Sequence, residues 1–182
     1  MYKVAFLLIG VIAMSSCGKD TGFSPIPEVD FKYFVNYKDA AGKDTAIDFI
    51  FDFKDGDGDI GYKDNELDTN CGADNNNLYI AYEERRGADF YPKKLWLEVT
   101  DIDANCDTNV YFDSVQVQFN QRMKYLSPPG NNKSIKGTVT YHMDQYSALI
   151  VLSASGRFKF YIRDRAGNLS NVLTTPEVYI TK

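Results

Sequence analysis

Between Asp52 and Asp68 the chain reads DFKDGDGDIGYKDNELD, with Asp55, Asp57 and Asp59 at alternate positions and Gly56 and Gly58 between them. Seven acids in this stretch face only Lys54 and Lys63, leaving five net negative charges, as many as the formal net charge of the whole chain, −5. Carboxylates so crowded in a glycine-rich turn repel one another unless a cation lies between them. A hard ion such as Ca²⁺ takes six to eight oxygens, and alternating acids can turn theirs inward around it. Set against a helix–loop–helix calcium loop starting at Asp55, the first, third and fifth ligand positions are Asp55, Asp57 and Asp59. Gly61 falls where a backbone carbonyl is used, and Glu66 where a bidentate glutamate is used. Ile60 departs from the glycine expected at the sixth position. The preceding Ile47, Phe49, Phe51 and Phe53 alternate as a strand does, so the expected setting is a loop at a strand end. The plain alternative is a solvated turn built from Asp-Gly pairs.

The elements that must hold this loop read as strands. From residue 28 to 182, short alternating runs are broken by turn residues, at 29–38, 46–53, 78–85, 94–100, 110–125, 134–143, 148–153, 157–163 and 177–180. In the sixth, Ile135, Gly137, Val139, Tyr141 and Met143 share one face; in the eighth, Phe158, Phe160 and Ile162 do. About nine strands and no long amphipathic helix predict an all-β sandwich of the immunoglobulin or fibronectin kind over 28–182, with a small barrel as the alternative.

Residues 1–16 read as a signal peptide. Lys3 supplies the positive end, and the apolar run 4–14 is too short for a membrane span. Met14-Ser15-Ser16-Cys17 resembles a bacterial lipobox, with methionine at the usual leucine position. The resemblance implies cleavage before Cys17, acylation of its sulfur and a tether over 17–27 ending at Pro25-Ile26-Pro27. The expected address is the outer membrane, with the face left open, because Lys19-Asp20 only partly matches surface-export signals. If Cys17 carries lipid, Cys71 and Cys106 are an even pair in an oxidising compartment, and a disulfide between them is expected. Both lie in polar loops. Asp101, Asp103, Asn105 and Asp107 surround Cys106, and read as a turn or as a second oxygen-donor run.

Asp164-Arg165-Ala166-Gly167-Asn168 resembles the turn before the last strand of many bacterial immunoglobulin-like and fibronectin-like domains. The lipobox, the DGDGDIG stretch at 55–61, YLSPPGNNKSIKG at 125–137 and DRAGNLSNVLTTP at 164–176 together resemble a group of uncharacterised envelope lipoproteins of the Bacteroidetes. That resemblance implies a lipid-anchored β-domain; calcium rests on the carboxylate spacing alone.

The function classes follow from what the chain offers. The one histidine, His142, is expected to face solvent, and no nucleophile elbow, zinc helix or phosphate loop is present, so no enzyme is expected. Two thiols and one histidine are too few for a structural zinc site. A pI near 4.9 disfavours nucleic acid. The expectation is a non-catalytic binding or assembly module with an envelope protein or a glycan as partner. A surface carbohydrate-binding lipoprotein is the runner-up, and a glycan-active enzyme stands behind it.

Overall fold

A computed structural model describes residues 22–103, 105–126 and 133–182. The signal segment, Cys17, the first part of the tether and part of the 125–137 motif lie outside the described residues. Among the described residues ten strands follow one another: β1 (Glu28–Lys38), β2 (Asp44–Asp55), β3 (Leu78–Arg86), β4 (Asp89–Pro92), β5 (Lys94–Ile102), β6 (Thr108–Gln116), β7 (Ile135–Asp144), β8 (Ser155–Ile162), β9 (Leu173–Thr174) and β10 (Val178–Tyr179). They form an antiparallel sandwich. One sheet has the order β1-β2-β7, the other β10-β8-β3-β4 with β9 also on β8, and β5-β6 stand apart as a two-stranded ribbon. Placing β2 between β1 and β7, and β8 between β3 and β10, is the pairing of immunoglobulin-like sandwiches, so the expected fold class holds.

The alternation in β2 explains why the sheets stack. Ile47, Phe49, Phe51 and Phe53 all turn inward and are at most 6% exposed. Phe158 and Phe160 of β8 come from the facing sheet, and the Phe49 and Phe160 rings meet edge to face at 4.7 Å. Phe31 and Phe34 of β1 close the cluster at 5.8 and 5.7 Å from Phe49. Aromatic pairs at such spacing add about 0.5–1.5 kcal/mol each beyond the area they bury.

The strand readings at 29–38, 46–53, 78–85, 134–143 and 157–163 match β1, β2, β3, β7 and β8 to within two residues. Two differ. The run 148–153 is not a strand. One helical turn, Gln145–Leu149, and the bend after it bury Ala148, Leu149 and Leu152 instead. An unbroken apolar run lacks the alternation that would separate these possibilities. The long run 110–125 breaks after Gln116. Its second part lies along β3, with the Phe119 amide donating to the Ile80 carbonyl and the Gln121 amide to that of Leu78.

Candidate metal centre

Asp55 is the last residue of β2, paired with Ile135, so the end of a central strand fixes its position. It is fully buried. The chain then turns back on itself: the Asp59 amide donates to Asp55 Oδ2 at 2.9 Å. Two glycines are required by close approach. A Cβ on Gly56 would lie 2.4 Å from the Phe23 carbonyl oxygen, and one on Gly61 2.2 Å from that of Lys124. The loop is thus pressed between the incoming segment at 23–24 and the strand-like run at 123–126. Ile60 is wholly buried and belongs to the core. That explains the departure at the sixth position, where the side chain anchors the loop to the sandwich.

The second support comes from far along the chain. The Asp164–Asn168 turn follows β8, and Asp164 accepts from the Asn168 amide at 2.7 Å and from its side-chain amide at 2.8 Å. This turn then grips the loop. The Ala166 amide donates to Asp59 Oδ2 at 3.0 Å, and the Arg165 guanidinium donates to the Asp59 carbonyl at 3.1 Å. Two motifs more than a hundred residues apart therefore make one site, at one end of the sandwich.

One oxygen of each of Asp55, Asp57 and Asp59 can be chosen so that all lie within 4.8 Å of one another. Oxygens held at roughly 2.4 Å from a calcium ion lie at most about 4.8 Å apart, so the three meet that limit. In each residue Oδ1 is buried and has no hydrogen-bond partner. Buried polar oxygens are ordinarily satisfied, so three orphans on three clustered aspartates are unusual. Burial pushes Asp55 up to about 7, and the charges of Asp57, Asp59 and Asp164 add to it against the Asp59 amide. Asp59 is also raised, by burial first and then by Asp164 and Asp57.

Glu66 is placed elsewhere. Its carboxylate accepts from the Lys63 amide at 2.9 Å and from Arg165 at 2.8 Å. The Lys63 amide bond, helped by Arg165, holds it below the usual carboxylate range. Of the five expected ligand residues the structure gathers the three aspartates. Gly61 serves the close approach to Lys124, and Glu66 becomes a strut between the loop and the Asp164–Asn168 turn. Asp164 and Arg165 were not legible as parts of this site. Asp164 read as a turn former, and nothing local in a sequence joins it to Asp59.

The Cys71–Cys106 disulfide is formed, with Cα atoms 5.1 Å apart. It ties the loop after Glu66 to the turn between β5 and β6, and constraining the unfolded chain in this way is worth about 3–4 kcal/mol in the loop-entropy picture. The second acidic run makes that turn. Asp103 Oδ1 accepts from the Asn105 amide at 2.8 Å and from the Asp107 amide at 2.9 Å. It contributes nothing to the Asp55 cluster among the described residues. His142 is 59% exposed by its side chain and sits 2.6 Å from Asp48, as its outward register implies. Asp48 also accepts from the Tyr37 hydroxyl. No hydroxyl or thiol among the described residues bonds the other ring nitrogen.

No protein-family model matches this chain, and no curated protein matches it. The class to which fold and site assign it is an antiparallel β-sandwich with a half-buried carboxylate cluster at one end.

Proposed function

We propose that this protein is a lipid-anchored module of the cell envelope, non-catalytic, whose sandwich is stabilised by Ca²⁺ held between Asp55, Asp57 and Asp59. The observation that carries the cation is that Asp55, Asp57 and Asp59 bring carboxylate oxygens within 4.8 Å of one another while each keeps a buried Oδ1 without a hydrogen-bond partner. Water completes the shell. The ion would join the end of β2, in one sheet, to the Asp164–Asn168 turn leaving β8, in the other. Asp164 is a positioning residue here, its two oxygens already engaged by Asn168. The incoming segment meets the same loop, since the Gly56 amide donates to the Ser24 carbonyl at 2.7 Å. A tether from Cys17 would therefore enter beside the cation.

Thermal melts of the full chain in chelator, in millimolar Ca²⁺ and in millimolar Mg²⁺ test this. Extracellular calcium modules bind with Kd on the order of 10⁻⁴–10⁻³ M. At ten times Kd, binding stabilises by about 1.4 kcal/mol, which should raise Tm by a few degrees. Mg²⁺, which needs a tighter octahedron and sheds water reluctantly, should do much less. Asp57→Ala with Asp59→Ala should abolish the response and keep the β spectrum. Equal Tm in all three conditions would leave an acidic turn and no ion site.

The anchor is tested separately. Globomycin should accumulate uncleaved precursor, and Cys17→Ala should block maturation or release soluble protein. Normal cleavage and membrane retention of Cys17→Ala would sink the lipoprotein reading. The outer membrane as destination, and a protein or glycan as partner, belong to the same proposal.

A further inference from the structure

The three aspartates of the candidate ion site are not equally held. Asp55 is fixed by its place at the end of β2, opposite Ile135. Asp59 is fixed by the Asp164–Asn168 turn, through the Ala166 amide on its carboxylate and the Arg165 guanidinium on its carbonyl. Between them Gly56, Asp57 and Gly58 form the span that can yield. Its two glycines lack a Cβ and give the backbone a wide choice of conformation, and Asp57 Oδ1 is buried without a partner. The incoming segment rests on this span. The Phe23–Ser24 peptide lies against the Gly56 Cα, where a Cβ would sit 2.4 Å from the Phe23 oxygen and 2.6 Å from the Ser24 oxygen. The Gly56 amide donates to that Ser24 oxygen at 2.7 Å, the hydrogen bond that ties 22–27 to the loop among the described residues. The rest of the seat is slight. Phe23 is half-buried, Ser24 and Pro25 are exposed, and Ile26 is 51% exposed. The Ser24 hydroxyl shapes the turn by accepting from the Ile26 amide at 3.0 Å. So small and closely fitted a contact does not survive a shift of the Gly56 backbone.

We infer that Ca²⁺ latches this segment: with the ion between Asp55, Asp57 and Asp59, residues 23–26 are seated on Gly56, and without it they lift. The inference rests on the calcium reading above and adds a moving part to it. Carboxylates within 4.8 Å of one another repel when nothing offsets their charge. Asp55 and Asp59 are pinned, so Asp57 is the one that retreats, and it carries Gly56 with it. An ion between the three removes that push. Coupling of this kind is reciprocal. A seated segment therefore raises the affinity for Ca²⁺ by the factor by which Ca²⁺ favours seating, commonly about 5–150-fold. On the anchor proposed at Cys17, lifting frees residues 23–26, which reach roughly 14 Å when extended at about 3.4 Å each. Calcium would then set how far the sandwich stands from the membrane.

Chymotrypsin cuts after aromatic residues in chain that it can draw out, so the Phe23–Ser24 bond is itself the probe, and its cutting tracks the lifted population. Tyr146, 83% exposed and beyond the opposite end of β7, is the internal reference for the protease and for global stability. Cutting of the full chain is followed by fragment mass, and Ca²⁺ binding to the same sample by calorimetry. Saturating Ca²⁺ should slow cutting at Phe23 about tenfold relative to Tyr146, within the usual range of such couplings, and Mg²⁺ should do much less. Ser24→Ala, which alters no side chain of the metal loop, should be cut faster in Ca²⁺ and bind the ion more weakly. Gly56→Ala, whose methyl would occupy the place of the Phe23 oxygen, should be cut at one rate with and without Ca²⁺ while keeping the wild-type far-UV spectrum. Absence of any heat of Ca²⁺ binding overturns the calcium reading and the latch together. Ca²⁺ binding with cutting at Phe23 unchanged relative to Tyr146 overturns the latch alone, and so does a tenfold slowing that persists in Gly56→Ala.

Discussion

Phe49→Ala is expected to cost about 3–5 kcal/mol, a large part of the 5–15 kcal/mol that holds a typical domain folded. Phe49 is wholly buried and central to its cluster. Its ring lies 5.4 Å from Phe51, 4.7 Å from Phe160 and 6.0 Å from Phe158. Removing it forfeits the transfer free energy of a phenyl group and leaves a void between two sheets whose backbones are tied to other strands and cannot close on it. Urea titration of the full chain measures the loss. Tyr146→Ala serves as the reference, since Tyr146 is 83% exposed and its truncation should stay within about 0.5 kcal/mol. A Phe49 effect below about 1 kcal/mol would mean that the two sheets do not meet where the rings place them.

Acid should reveal a second large effect, at Glu84. Burial, the strongest single influence, pushes its carboxyl up, but hydrogen bonds from Lys93, Ser153 and Arg86 together bring it down to about 2. The Lys93 ammonium is at 2.7 Å and the Ser153 hydroxyl at 2.6 Å. A carboxyl whose folded value lies below its unfolded one stabilises above the unfolded value, near 4.5. That contribution is lost as pH falls through the folded value. The difference corresponds to about 3 kcal/mol at neutral pH. Glu84 is only 10% exposed, so solvent does little to screen the Lys93 bond, whereas Arg86 is 61% exposed and contributes less. Glu84→Gln should therefore lower Tm at pH 7 and flatten its fall between about pH 4.5 and 2. Wild type and variant running parallel over that range would show that the Glu84 bonds add nothing net.

How much of this was legible follows from which forces are local. Phe49 and Phe51 alternate with Asp48, Ile50 and Asp52, and β7 sets Met143 against His142, so two sheets and their inner faces follow from period-two patterning. The disulfide followed from cysteine number and an expected compartment. The short strands β4 and β9 escaped notice because two to four residues carry no period. The acidic loop was legible as a crowd of carboxylates, but its membership was not. Glu66 has the right spacing for a ligand, yet Arg165 supplies a charge partner from the other end of the chain and takes it away. Asp164 enters for the same reason, since strand pairing alone brings its turn to Asp59. The ribbon was legible as strands only. That it leaves the sandwich depends on residues 117–121 occupying the edge of β3 that it would otherwise extend.

The order of strands in the two sheets also sets the tempo of folding. β2 and β3 each leave an edge that waits for the far half of the chain: Phe49 pairs with Tyr141, and Tyr82 with Phe158. Contacts so distant in sequence require long loops to close before they return any stabilisation. Folding times for such topologies run from milliseconds to seconds, on the order of a thousandfold or more slower than helical bundles. During that interval β2 offers its neighbours a twelve-residue strand whose inward face carries Phe49, Phe51 and Phe53, with one edge open. A nascent chain with such an edge is prone to pair with its own kind. Survival of the early strands thus depends on how soon β7 and β8 arrive, and crowding many unfolded copies together should lower the yield of folded protein well before it alters the stability of those that succeed.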